Sequence, residues 1–388
     1  KTKNKIKINS QKLKNSSRFI HLDELLLFEY LYKLINIPDK NTIHDDPFSI
    51  FEKFEQLESK VILDNDPDSI DEFIKKISFQ NVSFKKHDCK SSFPIKHSYK
   101  ISDKQKNKLF NIGIVNLKVN TADIEASFNP LKKPNTSYKR QTTLFELINI
   151  GINEPKCDLM IFPEVSIPFA WLPFMVKQSR RSNIGFIFGL EHIVHKPYAL
   201  NFVATLLPFR NENGFHNVFI SLRLKNHYSP SELHELNILD LTRPPYKFLY
   251  EKFSWRSTVF PVYNCYELTD IQHRSLFRSE IDLLIAVEYN QDINYFSNIL
   301  EAATRDIHCY SAQANSSDYG DSRVISPKRT EEMNIIRLKG GENAVLVKTF
   351  LDINSLRDFQ IRKFSPGHNE FKPTPAGYDP NNARNRNE

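Results

Sequence analysis

From about residue 106 the chain alternates short, almost uninterrupted apolar runs with amphipathic stretches, and this texture limits the fold more than any other feature. Runs of five to nine apolar residues suit strands buried on both faces, whereas spacing at three and four residues suits helices packed on top of them. Residues Asn111 to Val119, Cys157 to Phe162 (ending at Pro163), Ile184 to Leu190, Thr258 to Asn264 and Ile281 to Val287 read as strands. Ala199 to Leu207 and Val218 to Leu224 read as a strand pair joined by a turn at Asn211 to Gly214. Further strands are expected near Tyr310 to Ala314, Arg323 to Ser326 and Ala344 to Leu351. Leu144 to Ile150, Phe169 to Ser182, Leu268 to Phe277 and Ile293 to Ile307 have helical patterns. Because some strands follow one another directly, stacked sheets with helices outside are favoured over a single doubly wound sheet.

The first 105 residues differ. Leu25, Leu26, Phe28, Leu31, Leu34 and Ile35 recur at helical spacing before Pro38, and two more short helices are expected over 49–57 and 69–77. The segment 1–105 is therefore expected to be a mostly helical appendage, with a Lys- and Asn-rich start over 1–16 that can serve as a linker or a basic arm. Asp64, Asp66 and Asp68 imitate a calcium loop, but Pro67 interrupts it and Lys75 stands where a bidentate Glu is needed. The Pro-, Asn- and Arg-rich end, 361–388, is expected to be disordered, leaving 106–360 as the main domain. The chain begins at Lys1 rather than Met, which suggests a piece of something longer.

Composition excludes several classes. The net charge is +7 over 388 residues, with 12% aromatics, which argues against wholesale disorder. No run approaches the roughly 18–20 apolar residues of a membrane span, since even Leu25 to Ile37 contains Glu29 and Lys33. No secretory leader pattern is present. Four scattered cysteines (Cys89, Cys157, Cys265, Cys309) suit a reduced, cytoplasmic setting better than a disulfide framework, and Cys157 and Cys309 read as core residues.

Three ionisable residues stand just past the carboxyl ends of buried strands, where sites assemble in α/β proteins. Glu164 follows the Cys157–Phe162 strand, Lys225 closes the ISLRL strand, and Cys265 closes VFPVYN. A papain-like pairing of Cys265 with His308 would need the thiol at a helix start, and a zinc site from His227, His234 and a cysteine lacks compact spacing. No metal and no cofactor are expected.

Taken in order, Glu, Lys and Cys resemble the catalytic set of the carbon–nitrogen hydrolase (nitrilase) superfamily, over about residues 108 to 355. The quoted motifs are Leu159–Val165 (LMIFPEV), then Lys225, His227, Tyr228, Pro230 and Glu232, then Cys265, Tyr266 and Glu267. Gly189, Leu190 and Asn201 precede them in matching places, and Arg305, Asn315, Gly320, Ser322 and Pro327 follow. The resemblance implies an αββα sandwich of nitrilase type and an amidase or nitrilase that works through a thioester on Cys265. Glu164 would be the general base and acid, with Lys225 favouring the thiolate and donating to the oxyanion beside the Tyr266 backbone N–H. Glu232 would be a supporting carboxylate that orients Lys225. Tyr228 replaces the usual Leu, and Glu288, Tyr289 and Asn290 fall where the family has an aromatic-lined stretch, which predicts a polar substrate pocket. Glu301 and Asp306, beside Arg305, are expected in surface ion pairs.

Within the superfamily the sequence is most similar to the nitrilase-like domain of certain bacterial defence-associated reverse transcriptases. The phrases RLKNHYSP, YNCYELTDIQHRSLFRSEIDLL and CYSAQANSSDYGDSR carry that likeness. It implies a small amide or nitrile substrate, homo-oligomers formed through the external helices, and an attached polymerase with its nucleic acid. The opposing possibility is a catalytically idle fold that serves as an assembly module.

Overall fold

The structure is a computed structural model and describes residues 21–35, 82–87, 94–103, 109–210, 214–362 and 370–386. The helices expected over 49–57 and 69–77, the basic start, the Asp64–Asp68 run and Cys89 lie outside those residues.

In chain order the first strands are β1 (Val82–His87), β2 (Ile95–Ile101), β3 (Phe110–Asn116), β4 (Leu159–Ile161) and β5 (Gly185–Gly189). A small hairpin, β6 (Ile193–His195) and β7 (Tyr198–Leu200), leads into β8 (Phe202–Arg210) and β9 (His216–Leu224). Next come β10 (Leu249–Trp255), β11 (Thr258–Asn264), β12 (Leu283–Val287) and β13 (Tyr310–Ala314). The last are β14 (Ser322–Ile325), β15 (Asn334–Leu338) and β16 (Val345–Leu351). They form an eight-stranded mixed sheet, β1-β2-β10-β11-β12-β13-β14-β15, and a six-stranded one, β16-β3-β4-β5-β8-β9.

The two sheets stack, and strand periodicity shows how. On β12, Leu283, Ile285 and Val287 point into the core shared with Phe186, Phe188 and Phe202 of the other sheet. The alternate residues Leu284 and Ala286 face outward onto Phe296, Ile299, Leu300 and Ala303 of the helix Ile293–Ile307. That helix is capped by Asp292, whose side chain accepts from Tyr295 N, and it ends at His308 in the left-handed region, as expected from its pattern. The helices Tyr138–Ile152 and Leu172–Ser182 cover the other outer face through Leu147, Ile148, Met175 and Val176. The order helix, sheet, sheet, helix is the α/β sandwich expected from the sequence. Across the middle, Trp255 donates its indole N–H to Pro208 O at 2.8 Å. Among the described residues, no helix is long and apolar enough to cross a membrane.

Four expectations change. The segment 1–105 is not helical over 82–101: β2 pairs parallel with β10, and it buries His97, Tyr99 and Ile101 at every second residue, a strand period. Its Tyr99 ring stacks on Phe253 and reaches Phe219 of the opposite sheet, so the eight-stranded sheet begins well before residue 106. The 361–388 end carries the helix Pro380–Asn385, and Arg386 reaches the fully buried Asp282 at 3.1 Å, a charge partner that composition does not reveal. Leu268 to Phe277 is not one helix; it splits into a 3₁₀ turn, Cys265–Thr269, and the short helix Ile271–Arg274, capped by Asp270. Glu301, expected in a surface ion pair, pairs with the buried Arg323 at 3.0 Å.

Candidate active site

The carboxyl ends of β4, β9 and β11 meet at one cavity of about 640 Å³, lined among others by Glu164, Lys225, Glu232, Cys265, Tyr266 and Tyr289. Glu164 and Lys225 come from the six-stranded sheet and Cys265 from the eight-stranded one. The three expected residues are all buried, with 3, 6 and 7% of their surfaces exposed respectively, so their charges act through little water.

Lys225 Nζ donates to Glu164 Oε1 at 2.7 Å and to Glu232 Oε2 at 2.6 Å. Burial pulls its pKa down, but these two carboxylates more than offset that and hold it well above the usual lysine value. Glu232 sits at the third position of the helix Pro230–Asn237 in a reciprocal capping box with Ser229, which fixes where its carboxylate points. Burial works against the Glu232 carboxylate too, but Lys225 and then His192 bring its pKa down to about 2. One ammonium between two carboxylates is thus locked in its charged form.

Cys265 behaves differently. Burial, and then the Glu164 charge, push its thiol well above the ordinary cysteine value, with Lys225 lowering it by less. Lys225 does favour the thiolate, as expected, but by less than burial and the nearby carboxylate oppose it, so the thiol rests protonated. The Cys265 backbone sits at φ 47°, in the left-handed region, at the start of the 3₁₀ turn. That cost is sustained by Glu267, which accepts from Asn264 N at 2.8 Å, from Asn226 N at 2.6 Å and from both guanidinium nitrogens of Arg223 at 2.7 and 2.8 Å.

Asn201 ties the pieces together. Its side-chain amide donates to Glu164 Oε1 and to Glu232 Oε1, each at 3.0 Å, and its carbonyl oxygen accepts from Asn264 at 3.2 Å. Tyr228, the departure from the usual Leu, has a physical reason: its hydroxyl accepts from Asn201 N and donates to Ala199 O. Close packing matters here as well, because a Cβ on Gly189 would lie 2.4 Å from Val165 N and 2.6 Å from the Glu164 Cα.

Of the expected pocket residues, Tyr289 and Asn290 line the cavity and Glu288 does not. The Glu288 side chain is fully buried, and neither carboxylate oxygen has a hydrogen-bond partner among the described residues. Burial, then the nearby Glu164 and Asp321 charges, push it well above the usual carboxylate range, so it is held neutral. A carboxyl raised in the folded state adds stability below its unfolded pKa and loses it as pH climbs toward the folded one. Glu288→Gln should remove that loss. Between pH 5 and 8, the unfolding free energy of the wild type from denaturant titration should fall relative to the variant, by up to about 1.4 kcal/mol per pH unit; parallel profiles would refute this.

The sequence reading missed His192, whose Nε2 lies 3.3 Å from Glu232 Oε1 while its ring meets Phe128 edge-on. It follows the end of β5 by three residues, so the rule that singled out Glu164 could have found it. Cys157 and Cys309 are buried apart from the cavity, as expected.

No protein-family model matches the chain, and no curated protein matches it. Among solved structures it is similar to a CN-hydrolase superfamily protein from Xanthomonas campestris with an arsenic adduct in the active site, at 13% identity and a TM-score of 0.47, over 67% of this chain and 99% of that one. It is similar to an amidase from Nesterenkonia sp. at 14% identity and a TM-score of 0.46, over 66% of this chain and 95% of that one. It is also similar to a cysteine-to-serine mutant of the Nesterenkonia AN1 amidase from the nitrilase superfamily, at 14% identity and a TM-score of 0.46, over 64% and 94%.

Proposed function

We propose that the chain is a carbon–nitrogen hydrolase of the amidase or nitrilase kind, which forms a thioester on Cys265. The supporting observation is the cavity that a buried thiol shares with a carboxylate paired to an ammonium. An amide carbon is a poor electrophile, and a sulfur nucleophile divides its hydrolysis into two easier steps. Since the thiol rests neutral, its proton moves to Glu164 as sulfur attacks, rather than beforehand. The Lys225 ammonium and the Tyr266 backbone N–H meet the oxyanion. Glu164 then gives the proton to the departing amine, and later takes one from the water that cleaves the thioester. Glu232, His192 and Asn201 position Lys225 and Glu164 throughout.

The test is intact-mass measurement after exposure to a panel of short aliphatic amides and nitriles. An acyl adduct should appear on the wild type and map to Cys265. Turnover without any dependence on Cys265 would sink the reading. The likeness in the phrases around Lys225, Cys265 and Tyr310 supports a wider role, hydrolysis in the service of antiviral defence beside an attached reverse transcriptase, with subunits pairing through external helices.

A further inference from the structure

We propose that His227, Asp270 and His273 form a binding site for one divalent transition-metal ion, separate from the cavity that Cys265 lines. His227 stands two residues after Lys225 on the turn leaving β9, while Asp270 caps the short helix Ile271–Arg274 that follows the Cys265 turn and His273 lies in its last turn. In the sequence the nearest histidine to His227 is His234, at a spacing that is not compact enough for a metal site. His234 is exposed on its helix, and the fold instead brings in His273 from 46 residues away.

Three donor atoms converge. His227 Nε2 lies 2.9 Å from His273 Nδ1, and Asp270 Oδ2 lies 3.6 Å and 3.4 Å from those same two nitrogens. A triangle with these sides has a circumradius of about 1.9 Å, just under the roughly 2.0–2.1 Å of zinc–nitrogen and zinc–oxygen bonds. An ion bonded to all three would sit less than about 1 Å out of their plane, with its far side open for water. Two imidazoles and one carboxylate suit zinc, nickel, cobalt or copper rather than magnesium or calcium.

The donors are held by their surroundings. The other Asp270 oxygen accepts from His273 N at 3.0 Å, which turns Oδ2 toward the rings. The His227 ring packs on Phe248 with centroids 4.5 Å apart, and the Tyr263 hydroxyl donates to His273 O. Without an ion, the facing nitrogens share one proton, and the Tyr250 hydroxyl lies 3.1 Å from His273 Nδ1. Metal binding bares both facing nitrogens by moving that proton to the other nitrogen of its ring, so no net proton is released by the histidines. Arg243, stacked on Phe248, is a nearby cation that opposes the ion. The side chains are 23, 32 and 11% exposed, enough for an ion to enter from solvent. An ion here would cross-link the segment that carries Lys225 to the one that carries Cys265.

The test is calorimetric titration of the metal-free full chain with Zn²⁺, using wild type, Cys265→Ala, His227→Gln and Asp270→Asn. Wild type and Cys265→Ala should bind one equivalent at micromolar affinity or tighter, and their melting temperatures should rise with zinc. His227→Gln and Asp270→Asn should bind at least about tenfold more weakly. Binding undiminished in both, or no binding in wild type, would overturn the site. Should either variant fold poorly, histidine ring NMR of the unmutated chain decides: zinc must shift His227 and His273 first, and shifts confined to other histidines would refute the proposal. None of these readouts depends on hydrolysis, so the outcome stands apart from that of the proposed activity.

Discussion

Cys265→Ala is expected to abolish amide or nitrile turnover, by on the order of 10⁴-fold or more in kcat, while the chain stays folded. Removing one sulfur from a side chain of which 7% is exposed opens a small void and breaks only a long contact to Tyr289 O at 3.9 Å. Lys225→Met should cost at least about 10²–10³-fold, the loss typical of a missing oxyanion donor. It should also do something Cys265→Ala does not. Glu164 and Glu232 would face each other without a cation, so the Glu232 carboxylate, which Lys225 holds down, takes up a proton more readily, and the acidic limb of the pH–rate profile should move upward. Steady-state rates and pH profiles of the two variants check this. A Lys225→Met enzyme that keeps the wild-type profile would remove the ammonium from the mechanism.

Arg223→Met is expected to destabilise the fold by about 3–5 kcal/mol, the largest single stability effect anticipated here. Its guanidinium is buried, bound to both oxygens of Glu267, and bonded to Leu224 O and Val262 O. Cutting it back leaves Glu267, which is wholly out of solvent, as an uncompensated charge. Adding Glu267→Gln should recover part of the loss but not all, because with Arg223 gone Asn226 N and Asn264 N still each need an accepting oxygen, and an amide offers one where the carboxylate offered two. A chemical-denaturation cycle over the four proteins measures the coupling. Additive losses would show that the pair is not a unit.

The strands, and the three buried residues that line one cavity, were legible because each rests on a local signal. Buried strands declare themselves as apolar runs, and an ionisable residue just beyond such a run is conspicuous, which is how Glu164, Lys225 and Cys265 were found. What was not legible depends on partners distant in the chain. Lys252 and Ser254 dilute the apolar run of β10, and β2 (IKHSYKI) carries lysines on its outward face, so neither strand stands out until the sheet pairs them. The anchoring of the C-terminal end by Asp282 joins residues 104 apart. The neutral state of Cys265 could not be read either, because it reflects a balance between depth of burial and two charges whose distances only the fold sets. Glu288 was misplaced for a related reason: its neighbours Tyr289 and Asn290 turn to the cavity, while its own side chain turns inward.

Because the Cys265 sulfur hangs from one sheet and Glu164, its proposed proton acceptor, from the other, their separation is a gauge of how the two slabs are aligned. A shear of a fraction of an ångström, too small to melt either slab, would part donor from acceptor. The Arg223–Glu267 clamp and the Asn264–Asn201 link act as dowels across that seam, so the protein should fall silent under mild pressure or cosolvent while its circular dichroism still reports an intact sandwich.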